Sequence, residues 1–163
     1  MPKPDPKDPS ARLAGILTAS GLTLSIAESC TGGLASDIIT TTPGSSAYFL
    51  GAIIAYDNNV KTKLLGVRPE TLERYGAVSV EAAKEMATGV KKALSSDVAI
   101  SITGIAGPGG GGEVKPVGLV YIGVVTNGDV TVKELRLSGD RSTIKRTAAR
   151  EALQILAEAL GKR

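Results

Sequence analysis

Three short segments carry the residue types that could do chemistry. The first is Ala27-Glu28-Ser29-Cys30-Thr31-Gly32-Gly33, which follows an apolar run and precedes a helical pattern. A serine at such a strand tip can project its hydroxyl, and the amides of Thr31, Gly32 and Gly33 would point from a helix N-terminus toward an anion. The glycines leave the backbone open to close approach. The same residues also suit a capped turn in which Ser29 and Thr31 only satisfy amides. The second segment is Tyr56-Asp57-Asn58-Asn59-Val60-Lys61. The third is Ser101-Ile102-Thr103-Gly104-Ile105-Ala106-Gly107-Pro108, which runs into Gly109–Gly112.

The chain has no histidine, which limits what these residues can be. Ser-His-Asp and Cys-His catalysis and His-ligated metal sites are excluded. If Ser29 is a nucleophile, its base must be another residue, and a neutral lysine in a partly desolvated site is the usual substitute. Lys61 opens a helix just after a strand end and is the candidate. Its ordinary pKa of ~10.4 must fall by several units to act near neutral pH. Tyr56 could relay a proton or orient the lysine, or be an ordinary half-buried strand tyrosine. Cys30 is a rival nucleophile, but with no cationic neighbour in sequence it reads as a small buried apolar residue. The six glycines between Gly104 and Pro116 could form an amide-lined wall, a mobile lid or a plain surface connection. They match neither a phosphate-binding P-loop nor a dinucleotide fingerprint. Arg141, Lys145 and Arg146 crowd the first turns of the last helix, where cations oppose the helix dipole. Arg141 is the candidate anion ligand there, and Lys145 and Arg146 read as a solvated basic face.

Composition narrows the class further. The net charge is +3, aromatic residues make up 3% of the chain, and the core must be built from Ala, Val, Ile and Leu. Modest charge with few aromatics argues against a nucleic-acid partner. The one cysteine allows neither an internal disulfide nor a cysteine zinc site, which fits a reducing cytoplasm. No apolar run reaches the ~18 residues of a membrane span. Residues 133–163 hold eight basic and four acidic residues, so an anion should meet the C-terminal segment.

The elements that must position these groups follow from periodicity. Met1–Pro9 contains four of the eight prolines and reads as a disordered tail, leaving 10–163 as a single domain. Helices are expected over Ser10–Ser20 with Ser10 as cap, Thr31–Thr40, a short stretch through Leu65 capped by Asn58 or Asn59, Pro69–Tyr75, Val80–Leu94 capped by Ser79, and Asp140–Leu160. Strands are expected over Leu22–Ala27, Leu50–Tyr56, Asp97–Thr103, Val117–Thr126 and Val130–Leu137, the last two joined at Asn127-Gly128. Helix-separated apolar strands need cover on both faces, so the expected fold is α/β: a three-layer α/β/α sandwich with a mixed, mostly parallel sheet.

Seven ordered motifs carry a resemblance. AESCTGG (Ala27–Gly33), PGSSAYF (Pro43–Phe49), the Tyr56…Lys61 pair, GAVS (Gly76–Ser79), SITGIAGPGG (Ser101–Gly110), KPVG (Lys115–Gly118) and SGDR (Ser138–Arg141) together resemble the CinA C-terminal domain family, the nicotinamide-nucleotide amidases. The pattern departs at Asp57, where relatives often carry Ser, and at the plain Gly109–Gly112 tip. The resemblance spans Leu13 to Leu160. It implies hydrolysis of the carboxamide of nicotinamide mononucleotide to nicotinate mononucleotide and ammonia, with Ser29 as nucleophile, Lys61 as base and Tyr56 in the associated motif. It also implies pocket-lining roles for Ser45, Ser46, Thr103, Gly104, Ala106, Gly107 and Arg141, no metal or cofactor, and a homodimer or larger homo-oligomer. Larger relatives carry a further N-terminal domain that this chain is too short to hold, so the stand-alone form is expected. Two other classes stay open: a non-catalytic nucleotide-binding or regulatory module, and an interaction protein of DNA-uptake or repair complexes.

Overall fold

The computed structural model describes residues 8–162. Its centre is β1 (Leu24–Glu28), buried at every position. β2 (Phe49–Ile54) and β3 (Val98–Gly104) flank it in parallel. β4 (Leu119–Thr126) pairs antiparallel with β3, and β5 (Asp129–Arg136) antiparallel with β4, giving the order β2-β1-β3-β4-β5. Four strands therefore point one way and β4 the other, the expected mixed, mostly parallel sheet. Glu28 pairs with both Ile54 and Ile102. The chain segments that leave β1, β2 and β3 thus emerge side by side at one edge of the sheet. In open α/β sheets that edge is where ligands bind.

Helices cover both faces because the inner strands have no polar side to show to water. α1 (Pro9–Ser20), α2 (Leu34–Thr41) and α6 (Arg141–Gly161) lie on one face. There Leu13, Leu17, Ile39, Ala148 and Leu153 pack on Ile26, Ile100 and Ile122. α3 (Asn58–Leu65), α4 (Pro69–Tyr75) and α5 (Val80–Leu94) lie on the other, where Leu65, Met86, Ala87 and Val90 pack on Ala27, Ala99 and Val125. Gly89 sits where α5 meets the end of α3. A Cβ there would overlap the Leu65 carbonyl, so α5 meets α3 with bare backbone.

Local signals hold at several places. The Ser79 hydroxyl accepts the Ala82 amide at 3.1 Å and caps α5. Asn127 and Gly128 both adopt positive φ, as a two-residue hairpin turn requires. Others need correction. Asp8, not Ser10, caps α1, and its carboxylate accepts the Ser10 amide at 3.1 Å. Asp8 and Pro9 of the expected tail are thus the start of α1, and residues 1–7 lie outside the described residues. Asp57, not an asparagine, caps α3. α2 begins at Leu34 rather than Thr31, because Gly32 and Gly33 take left-handed φ values of 60° and 105°. Among the described residues no helix is long and apolar enough to cross a membrane.

Candidate functional site

Ser29 follows directly from β1. Its amide donates to the Ile102 carbonyl at 3.0 Å, which ties it to β3, and the residue is only 8% exposed. The Ser29 carbonyl accepts the Gly32 amide at 3.1 Å. The buried Glu28 carboxylate accepts the Gly33 and Ala35 amides at 3.0 and 3.2 Å. The Gly32 and Gly33 amides are therefore satisfied within the chain, and the expectation that they hold a substrate anion is corrected. Thr31 is buried on the inside of the turn with its hydroxyl unpaired among the described residues. Cys30 is buried beside Ser29. Burial pushes its thiol pKa up to about 11, with the negative charge of Glu28 acting in the same direction, so the thiol is protonated at neutral pH.

Lys61 is 1% exposed, which is unusual for a lysine. The cap of α3 by Asp57, whose carboxylate accepts the Asn59 amide at 2.8 Å, brings the first turn of α3 back against the end of β2. The Lys61 amine then donates to the carbonyls of Ala55 at 2.8 Å and Tyr56 at 3.0 Å. Among the described residues it has no carboxylate within ion-pair distance. Burial pushes its pKa below the ordinary lysine value, with Asp57 opposing. Lys63, two residues on, is exposed.

The third wall is the segment after β3. Thr103, 1% exposed, donates its hydroxyl to the Ala77 carbonyl at 2.7 Å, so its side chain is committed to the fold. Beyond it, the Ala106 and Gly107 amides make no backbone hydrogen bond among the described residues. Arg141, the first residue of α6, donates from Nη1 to the Gly107 carbonyl at 2.7 Å and from Nη2 to the Tyr56 hydroxyl at 3.1 Å. It thereby pins the glycine segment against Tyr56, which is 61% exposed.

Ser29, Tyr56, Lys61, Thr103, Gly104, Ala106, Gly107 and Arg141 line one cavity of ≈ 270 Å³. Thr31, Gly32 and Gly33 do not line it, and neither do Ser45 and Ser46. The two serines form a short helical turn before β2, at the opposite edge of the sheet, so within one chain they are not brought to the cavity. Asn58, Ala77 and Val78 also line it. Spacing did not single them out, although Ala77 and Val78 belong to the GAVS motif. Other recesses are as large or larger. One of ≈ 520 Å³ near Thr88 and Ser96 holds two lysines, but it lies away from the strand tips that carry Ser29 and Lys61. A recess of ≈ 400 Å³ adjoins the main cavity through Arg141 and is lined also by Leu34, Ser142, Lys145 and Arg146. Among the described residues none of its three cations forms an ion pair with a carboxylate.

The chain resembles known proteins over almost all its described length. It is 51% identical over 148 residues to a CinA-like protein of Kosmotoga olearia, covering 91% of this chain and 36% of that protein. It is 50% identical over 145 residues to a CinA-like protein of Dictyoglomus thermophilum, covering 89% and 35%. The chain thus spans about a third of the length of these curated relatives. The crystal structure of the competence/damage inducible protein CihA from Agrobacterium tumefaciens superposes with a TM-score of 0.90 at 41% identity, covering 94% of this chain and 93% of that one. A CinA superfamily protein from Klebsiella pneumoniae 700603 superposes with a TM-score of 0.92 at 32% identity, covering 98% and 99%. The sequence pattern of the CinA C-terminal domain matches residues 7–160, and with these relatives it establishes that the chain belongs to the CinA C-terminal domain family.

Proposed function

We propose that this domain is a Ser-Lys amidase that deamidates nicotinamide mononucleotide to nicotinate mononucleotide and ammonia. The observation that supports it most is that Ser29 and a buried lysine without a carboxylate partner line one cavity. In a neutral amine the two N–H bonds are taken by the Ala55 and Tyr56 carbonyls, so the remaining tetrahedral position is the lone pair. The backbone thereby orients the base.

Lys61 removes the Ser29 proton as the hydroxyl oxygen bonds to the carboxamide carbon. The C–N bond then breaks, and ammonia leaves with the proton that Lys61 carried. Water, deprotonated in turn by Lys61, hydrolyses the resulting ester and frees the acid. Backbone amides facing the cavity stabilise the oxyanion, each such donor contributing ~3 kcal/mol. The unpaired Ala106 and Gly107 amides suit this role. The 5′-phosphate binds through Arg141 and the adjoining basic recess.

Ser29→Ala should abolish ammonia release from nicotinamide mononucleotide while leaving the melting temperature near that of the parent. Full turnover in that variant would refute the assignment. The pH profile gives a second check. The base must be neutral, and burial lowers its pKa, so kcat/KM should rise with pH along a limb centred below the ordinary lysine value. A limb at or above that value would exclude Lys61 as the base.

One observation favours a second reading, a nucleotide-binding module without turnover. The Lys61 amine bonds two carbonyls rather than the Ser29 hydroxyl. Calorimetric binding of the mononucleotide without ammonia release would select that reading.

A further inference from the structure

Glu28 is a fully buried carboxylate that the proposed chemistry does not use. Its Oε2 accepts the Gly33 and Ala35 amides, and its Oε1 accepts the Ser36 amide at 2.9 Å and the Ser36 hydroxyl at 2.6 Å. No cation forms an ion pair with it among the described residues. Its charge is met by four donors and by the N-terminus of α2. That terminus has no other cap, since Gly33 offers no side chain. Glu28 is therefore five residues upstream of the cap position it serves, and the segment between is the turn that carries Ser29.

The turn is closed at both ends by the same residue. On the sheet side, the Glu28 carbonyl accepts the Ala55 amide at 2.8 Å. On the helix side, its carboxylate holds the first turn of α2. Ala55 in turn gives its carbonyl to the Lys61 amine. Glu28 is thus a common anchor for the peptide that bears Ser29 and for the strand end that clamps Lys61.

We propose that Glu28 is a positioning residue: by binding the first amides of α2 its carboxylate closes the Ser29–Gly32 turn and fixes the Ser29 hydroxyl in the cavity that Lys61 lines. The kinetic side of this inference rests on the amidase reading, and the thiol side does not. Cys30 follows Ser29 in the same closed turn and lines the same cavity, its thiol held protonated first by burial, with the Glu28 charge acting in the same direction.

The test uses the full chain with Glu28→Gln and Ser36→Ala. Glutamine keeps the shape but has one acceptor oxygen, and its amide N–H groups would face backbone N–H groups. Ser36→Ala removes a single donor and leaves the carboxylate with three amides. For E28Q, kcat should fall ~10–100-fold with KM changed by less than ~3-fold, as expected for a misplaced nucleophile with intact binding. In the same variant, Cys30 should react faster with iodoacetamide, and the midpoint of its pH dependence should move down by ~1 unit. S36A should move both readouts the same way by a smaller factor, and it carries the test if E28Q does not fold. Parent-like kcat and parent-like Cys30 reactivity in a folded variant would overturn the inference. So would a loss of kcat/KM that appears wholly in KM, because only binding would then have changed. If the parent releases no ammonia, the amidase reading fails, and the Cys30 profile alone decides on Glu28.

Discussion

Two helix N-termini, those of α2 and α6, border the same recess, and the chain treats them differently. At α2 the anion that the exposed amides and dipole attract is supplied internally by Glu28 and buried completely. At α6 the chain supplies Asp140, which caps the helix from the surface through the Thr143 amide at 2.7 Å and is held below the usual carboxylate range by that bond. It then places Arg141, Lys145 and Arg146 around the opening. A cationic cluster at a helix start is unfavourable by itself. The closed terminus serves the architecture of the nucleophile turn, and the open, basic one suits a dissolved anion. Helix polarity alone could not tell them apart; the difference lies in whether a carboxylate of the chain already occupies the site.

The contrast can be broken most directly at Glu28. Glu28→Ala leaves three amides, that of Ala35 fully buried, and a hydroxyl without an acceptor, so chemical denaturation should show a loss on the order of 3 kcal/mol. A near-neutral result would mean that water replaces the carboxylate and that the two termini are alike. The next largest effect concerns the open terminus. Reversing Lys145 and Arg146 to glutamate should raise KM for the phosphorylated substrate by ~10–100-fold, as expected for losing charge-assisted contacts. Steady-state kinetics against the uncharged nucleoside would show no matching rise, and an equal rise for both substrates would remove the phosphate from this recess. The smallest effect should come from Asp140→Ala, whose cap is fully solvated. Its melting temperature should drop far less than that of the Glu28 variant, and an equal drop would erase the distinction.

Local signals made much of the fold legible. Unbroken apolar runs gave the inner strands, Asn127-Gly128 the hairpin and Ser79 the longest cap-defined helix on its face. The site was legible in part because an absence was informative. With no imidazole in the chain, a serine at one strand tip directed attention to a lysine after another, although a helical lysine ordinarily faces water. The structure buries Lys61 because two backbone carbonyls receive its amine, and no sequence pattern encodes that encounter. Glu28 was missed for a related reason. Capping motifs are read over three residues, and here the carboxylate reaches past a whole turn to a helix that begins six residues later. Thr31, Gly32 and Gly33 have the composition of an anion-binding loop, and only the structure shows that the Ser29 carbonyl takes the Gly32 amide and the Glu28 carboxylate the Gly33 amide. Asn58, Ala77 and Val78 reach the cavity through tertiary packing alone.

Gly89 stands apart from any chemistry, yet it governs a dimension of it. Where α5 crosses the end of α3 the spacer between them is a hydrogen atom, so the seating depth of the helix that bears Lys61 is set from behind by a residue that never meets a ligand. Any bulk added at that crossing would meet the Leu65 carbonyl, one turn beyond Lys61 on the same helix. The reach of the base is thus a property of how tightly two backbones nest on the far face of the sheet.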